Sequence, residues 1–438
     1  MSILYLEEII VELIVQNNCI DIEDKWTLYY EIVRASFTYP FMADRRAGLR
    51  KAYISIYTSI MEKLLKTDIK ITRITGSTDR QIVLVTDQFL GISHSPTKQI
   101  LDYAYAIQHN LGYKVLIINS GTCWLNEDTF IPLNSRKNYC DEYRDINVVD
   151  YLGESFNFYQ CESNAANIDV LAGMFCGIRV INPYCAIGIG DSNILVDICR
   201  HFTKTAVIPC DISVPITMAE YPLIPMKLSQ CEEDLEEVIM SWQKPIETVF
   251  NFVTSEEKDI NYSRGDYKIP EDAFVITVVG NRLNDECTEE FWMTCDTILK
   301  SIDNAYIVII GAVEDAPGIL SRRECGERFC MIDWIDSLKG FMKIADLLIQ
   351  PTRKGGGRST VNALEMGVPV VITQYGDSYY NAGTEFAVGS YEDMIESVCK
   401  YATDRAFYEK MSKMAKHRAE ELADINGTVK AWIDELLA

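Results

Sequence analysis

At 438 residues the chain is long enough for two or three domains, and a composition of 48% hydrophobic and 24% charged residues is that of a folded globular protein rather than a disordered one. A net charge of -23 excludes a general nucleic-acid binder, which needs a basic surface, and disfavours docking on anionic lipid. Fourteen cysteines without a CxxC pair read as reduced, mostly buried thiols.

The opening MSILYLEEIIVELIV places acidic residues inside an apolar run and lacks a basic leader, so it does not read as a signal peptide. No stretch approaches the roughly 18 uninterrupted apolar residues of a transmembrane helix. The expected location is the cytoplasm. Leu4, Leu6, Ile9, Ile10, Leu13 and Ile14, and later Tyr53, Ile54, Tyr57, Ile60, Met61 and Leu64, recur at helical spacing, which predicts a helical extension over residues 1–75.

From Gln81 the period changes. Ile82-Val83-Leu84-Val85-Thr86 is a continuous apolar run suited to a central parallel strand, Pro96 suits the first turn of a helix over 96–111, and a second strand over 114–119 completes a β-α-β unit. Ligands of open α/β sheets sit beyond the carboxyl ends of the strands, so Gly91 and His94 fall where a cleft is expected. An imidazole titrates near neutral pH, which makes His94 the candidate general base. Residues 122–165 are polar and read as an irregular insertion with short strands. A helix over 168–175 and a strand at Arg179-Val180-Ile181 follow. Gly188-Ile189-Gly190 is too short for a dinucleotide fingerprint; Asp191, Ser192 or Asn193 reads as the N-cap of the next helix, 194–202, and Asp191 is the reserve candidate for base or acceptor contact. A strand over 206–209 comes next.

Residues 76–225 are therefore expected to form a Rossmann-like domain, N-terminal to a second one. Residues 226–270, with prolines, the acidic run Glu232-Glu233-Asp234 and a helix over 235–252, are expected to cross into the C-terminal domain, 271–438. There, 274–279 reads as a buried strand ending in the loop Gly280-Asn281-Arg282-Leu283. A helix over 289–302 and a strand over 305–311 follow. An apolar strand ending near Gln350 then runs into Pro351-Thr352-Arg353-Lys354-Gly355-Gly356-Gly357-Arg358-Ser359-Thr360, a helix over 359–366 holding Glu365, and a strand over 369–372. Adjacent glycines let backbone approach a ligand closely. A helix start carrying Ser359 and Thr360 beside Lys354 brings unpaired amides, the positive end of the helix dipole and a cation to one anion. It is not the GxxxxGK[ST] phosphate loop, because the lysine precedes the glycines.

The pattern P-x-R-x-G-G-G-x-S followed by E-x-G-x-P-V-V resembles the donor-binding signature of nucleotide-sugar-dependent glycosyltransferases of the GT-B fold, nearest to the family-four transferases and to bacterial cytoplasmic protein glycosyltransferases related to O-GlcNAc transferase. The resemblance implies an α/β GT-B protein, two Rossmann-like domains facing a cleft. It implies transfer of a sugar from a nucleoside diphosphate donor, UDP foremost, to a protein, glycan or lipid-linked acceptor, with no metal and no further cofactor. It assigns Gly91, Asn281, Arg282, Lys354, Gly355, Gly356, Gly357, Ser359 and Thr360 to the donor, Glu365 to the ribose hydroxyls, and Asp377 to sugar hydroxyls or a turn. Gly357 stands where retaining family-four enzymes carry the first of two glutamates. Two other readings share the fold: a nucleotide-sugar epimerase and a non-catalytic binding partner.

Overall fold

The computed structural model describes residues 3–38, 46–67, 69, 72, 80–92, 94–122, 138–162, 166–228, 231, 235–251 and 260–438. The chain divides into two compact units, residues 1–249 with 425–438, and residues 250–424. Among the described residues no helix is long and apolar enough to cross a membrane.

The first unit runs α1 (Ile3–Gln16), α2 (Ile22–Thr38), α3 (Arg46–Leu65), β1 (Gln81–Thr86), α4 (Ser95–Tyr105), β2 (Lys114–Asn119), β3 (Val148–Tyr151), β4 (Glu154–Gln160), α5 (Ile168–Ile181), β5 (Cys185–Ile189), α6 (Ile194–Cys199), β6 (Lys204–Ile208), β7 (Tyr221–Ile224), α7 (Leu235–Val238) and β8 (Ile246–Glu247). Its sheet has the order β3-β4-β2-β1-β5-β6-β7-β8. All pairings are parallel except the β3–β4 hairpin. That hairpin turns on Leu152 and Gly153, both at positive φ (50° and 83°), the two-residue turn whose twist matches its strands. The central strands β1, β5 and β6 are buried on both faces, which is why they read as unbroken apolar runs.

The N-terminal helices are not a separate layer. Ile14, Trp26, Tyr29, Tyr53 and Ile60 share one core with Val83, Leu171, Phe175, Ile194 and Phe202 of the sheet and its helices. Polar ties reinforce this packing: Tyr53 donates to Asp197 at 2.5 Å, and Tyr29 to Ser192 at 3.4 Å.

The second unit runs β9 (Phe274–Val279), α8 (Leu283–Glu286), α9 (Glu289–Ser301), β10 (Ala305–Ile310), α10 (Ala316–Ser321), β11 (Phe329–Ile332), α11 (Leu338–Met342), β12 (Leu347–Ile349), α12 (Gly357–Glu365), β13 (Val370–Thr373), α13 (Gly376–Ala382), β14 (Ala387–Val388), α14 (Tyr391–Thr403) and α15 (Arg405–Ala423). Its parallel sheet has the order β11-β10-β9-β12-β13-β14, the 3-2-1-4-5-6 winding of nucleotide-binding sheets. The last helix, α16 (Ile425–Leu437), returns to the first unit, where Trp432 stacks edge-on against Tyr103 and donates to Thr248 at 2.7 Å.

Several expectations change. Arg179-Val180-Ile181 is the last turn of α5 rather than a strand; the helix stops only at Asn182, whose left-handed conformation (φ 52°) caps it ahead of Pro183. The helix expected over 235–252 is the single turn α7; it stops at Val238, Pro245 bars helix farther on, and the chain then adds β8 to the sheet edge. The helix expected over 359–366 starts two residues earlier and ends one earlier. The two compact units part at 249/250 and again at 424/425. The acidic run Glu232-Glu233-Asp234, and residues 123–137 and 163–165 of the expected insertion, lie outside the described residues.

Candidate functional site

In the second sheet the winding reverses between β9 and β12, so the loops leaving their carboxyl ends diverge and open a crevice. Those two loops are Gly280–Arg282 and Gln350–Gly356. Arg353 ties them together: it is 7% exposed and donates to the Val279 carbonyl at 2.6 Å, to Gln350 at 2.5 Å and to Glu286 at 2.5 Å. Its guanidinium fills the space that side chains would need at two glycines. A Cβ at Gly280 would overlap Arg353 Nη1, and one at Gly356 would stand 2.6 Å from Nη2. The second oxygen of Glu286 takes Arg282, at 3.1 Å, and Arg282 lies over Gly355 with 42% of its side chain exposed. One carboxylate therefore holds a buried cation and an accessible one.

α12 begins at Gly357, with Gly356 at φ 94° as its cap, a conformation that suits glycine. The Ser359 and Thr360 hydroxyls both turn back to the Gly356 carbonyl, at 2.9 and 3.1 Å, and Thr360 also bonds Ser378. At 8% and 0% exposure these hydroxyls serve the loop itself, and the first amides of the helix have no partner inside it. Gly357 is fixed by packing: a Cβ there would overlap the Asn381 amide nitrogen, which is buried. The glutamate of the family-four pattern does not fit this position without moving Asn381. Asp377 sits in the first turn of α13, its amide donating to the Lys354 carbonyl at 2.8 Å, and Lys354 and Asn281 border the same crevice on the two loops.

Glu365, expected at the ribose, is ion-paired with Lys339 of α11 at 2.6 Å. One turn earlier, Asn362 is 7% exposed and its side chain makes no hydrogen bond among the described residues.

The first sheet has its own reversal, between β1 and β5. His94 caps α4, and its Nδ1 lies 2.9 Å from the Thr97 hydroxyl, which also accepts the Leu90 amide. Gly91 is at φ 96° with open space around it. The N-cap of α6 is Asn193, not Asp191; the Asp191 carboxylate is instead ion-paired with Arg46 of α3 at 2.6 Å. Between these loops lies a carboxylate that sequence reasoning passed over, Asp87, bonded to Ser120, Thr122 and Asn193. Burial pushes it up to about 6 against the opposing Thr122 and Ser120 bonds.

Arg353, Glu286 and Asn362 were likewise missed. Arg353 stands inside the glycine motif, and only its burial distinguishes it from Lys354. Asp87 directly follows the β1 run, where position alone marks it.

Residues 273–404 match the model of a family described as group 1 glycosyl transferases. Comparison with curated proteins returned no match. Among solved structures the chain is similar to a point mutant of the O-GlcNAc transferase of Thermobaculum terrenum (13% identity, 97% of this chain and 81% of that one, TM-score 0.57). It is also similar to a glycosyltransferase of Rickettsia africae (11% identity, 82% and 98%, TM-score 0.57) and to the sucrose-phosphate synthase of Thermosynechococcus elongatus (10% identity, 81% and 98%, TM-score 0.54). The GT-B fold and the resemblance to its glycosyltransferases are thus borne out.

Proposed function

We propose that the chain transfers a sugar from a nucleoside diphosphate sugar, a UDP-sugar foremost, to a protein, glycan or lipid-linked acceptor in the cytoplasm, without a metal. The observation that carries this reading is the coincidence of three features at one place: the β9/β12 winding reversal, the start of α12, and the cations Arg282 and Lys354. Fixed amides and permanently charged groups aimed at the leaving diphosphate stabilise charge as it develops, which is the work a metal does elsewhere. Arg282 suits this role because a guanidinium bonds two oxygens at once. Gly355 leaves room for it, and Glu286 keeps it in place until a phosphate competes. In this reading Asn362 and the Lys339–Glu365 pair line the ribose side, Gly91, Asn281 and Asp377 border the donor, and His94 borders the acceptor.

The test incubates the full chain with UDP-, GDP- and ADP-sugars and with peptide, glycan and lipid-phosphate acceptors, following the donor by NMR. The expected result is acceptor-dependent release of nucleoside diphosphate, reduced about hundredfold, or about 3 kcal/mol, by Arg282→Ala or Lys354→Ala. Conversion of the donor sugar into its epimer with no acceptor present would replace this reading with the isomerase. Absence of any turnover or nucleotide binding would leave a non-catalytic partner.

A further inference from the structure

In the second unit a buried carboxamide stands unpaired beside the start of α12. Asn381 lies in the last turn of α13 and is 1% exposed, and its Nδ2 has no hydrogen-bond partner among the described residues. A buried amide left unpaired costs free energy that an apolar side chain of the same shape would not. Where a fold keeps one, the partner that would satisfy it is the thing to identify.

The amide occupies the place that a side chain at Gly357 would take: a Cβ there would overlap Nδ2, with Asp377 Cβ next nearest at 3.0 Å. Gly357 is the first residue of α12, and a helical Cα–Cβ bond tilts toward the helix N-terminus. The Asn381 head therefore lies on the flank of α12 at its N-terminal end, beside the first amides, which have no partner inside the helix. Its own element is held in place. Arg418 of α15 donates to the carbonyls of Asn381 and Tyr380, at 2.8 and 3.0 Å, and the Asp377 amide donates to the Lys354 carbonyl at 2.8 Å. The last torsion of an asparagine is soft, so the head turns onto a ligand while the rest of the side chain stays fixed.

We propose that Asn381 is a donor-binding residue whose Nδ2 donates to a phosphate oxygen of the nucleoside diphosphate, an assignment that rests on the reading of the second unit given above. The acceptor that the ligand-free protein lacks is then supplied by the ligand. The dipole of a helix start attracts any anion. A directed N–H on its flank fixes where the phosphate oxygen sits, and a side chain at position 357 would drive that N–H away. The amide is neutral, so it adds direction to the charge that Arg282 and Lys354 supply. Its cost falls on the ligand-free fold, which sets stability against binding at this one position.

The experiment uses the full chain, calorimetric titration with UDP, and thermal unfolding with and without UDP. Asn381→Leu, an apolar side chain of similar shape, is expected to bind UDP about tenfold or more weakly, with a ligand-free melting temperature at or above the native value. A purely structural amide would move the two readouts the other way, lowering the ligand-free melting temperature and sparing the affinity. Native affinity in Asn381→Leu, or a ligand-free melting temperature clearly below native, overturns the assignment of Asn381 and leaves the donor site standing. Should that variant fail to fold, Asn381→Asp reads the same contact: it keeps the shape but turns a carboxylate on the phosphate, with an expected loss of about hundredfold or more, and native affinity there overturns the assignment. A native chain that binds none of UDP, GDP and ADP overturns the donor reading itself, and the role of Asn381 with it.

Discussion

Arg282 and Arg353 share Glu286, yet their surroundings assign them opposite work. Arg353 is buried between Gly280 and Gly356 and spends its donors on Val279, Gln350 and Glu286. Removing it leaves those acceptors buried, and breaking a buried charge pair from one side costs about 3 kcal/mol or more. Arg282 is part-exposed, so its pair with Glu286 is worth about 1 kcal/mol or less. Urea unfolding is therefore expected to show Arg353→Ala strongly destabilised and Arg282→Ala close to native. Equal effects would mean the two guanidiniums are not divided between structure and ligand. At this scale the sequence displayed the cations but not their division. The Pro351–Thr360 stretch shows two adjacent basic residues, Arg353 and Lys354, and only the tertiary position of Val279 and Glu286 decides which one turns inward.

The glycine loop and α12 act as one element. Gly376, at φ 73°, brings α13 so close that a Cβ there would overlap the Arg353 carbonyl, and Ser378 and Asn381 then support the loop and Gly357. Gly356→Ala tests this: a left-handed alanine costs about 1 kcal/mol or more, and its methyl collides with Arg353. The expected outcome is a lower melting temperature together with at least tenfold weaker nucleotide binding, read by thermal unfolding and titration. Native values for both would show that the loop geometry is not the binding device.

Elements of this kind were legible because parallel strands buried on both faces read as unbroken apolar runs, as at 82–86 and 274–279. Arg179-Val180-Ile181 misled for the same reason, since three residues cannot separate period 2 from 3.6. The helix expected over 235–252 could not run through Pro245, and it stops earlier still, at Val238.

At the scale of the molecule, the β-α-β alternation pointed to two Rossmann-like units, and both sheets have that form. Their boundaries were not legible. The three N-terminal helices join the first core through contacts between residues more than 100 positions apart, such as Tyr53 with Asp197, and α16 returns to that unit through Trp432. No local pattern reports pairings that distant. The winding reversals were equally hidden, since strand order is a property of the assembled sheet. Yet they place Arg282 with Lys354 in one unit and Asp87 with Asn193 in the other.

The central claim is that the second unit holds a diphosphate on the amides of α12 with Arg282 and Lys354. Calorimetric titration of UDP into the native chain, Arg282→Ala and Lys354→Ala tests it most directly. The account predicts saturable one-to-one binding to the native chain, weakened about tenfold or more in each variant, or about 1.4 kcal/mol or more. Binding that is unchanged in both variants would contradict it.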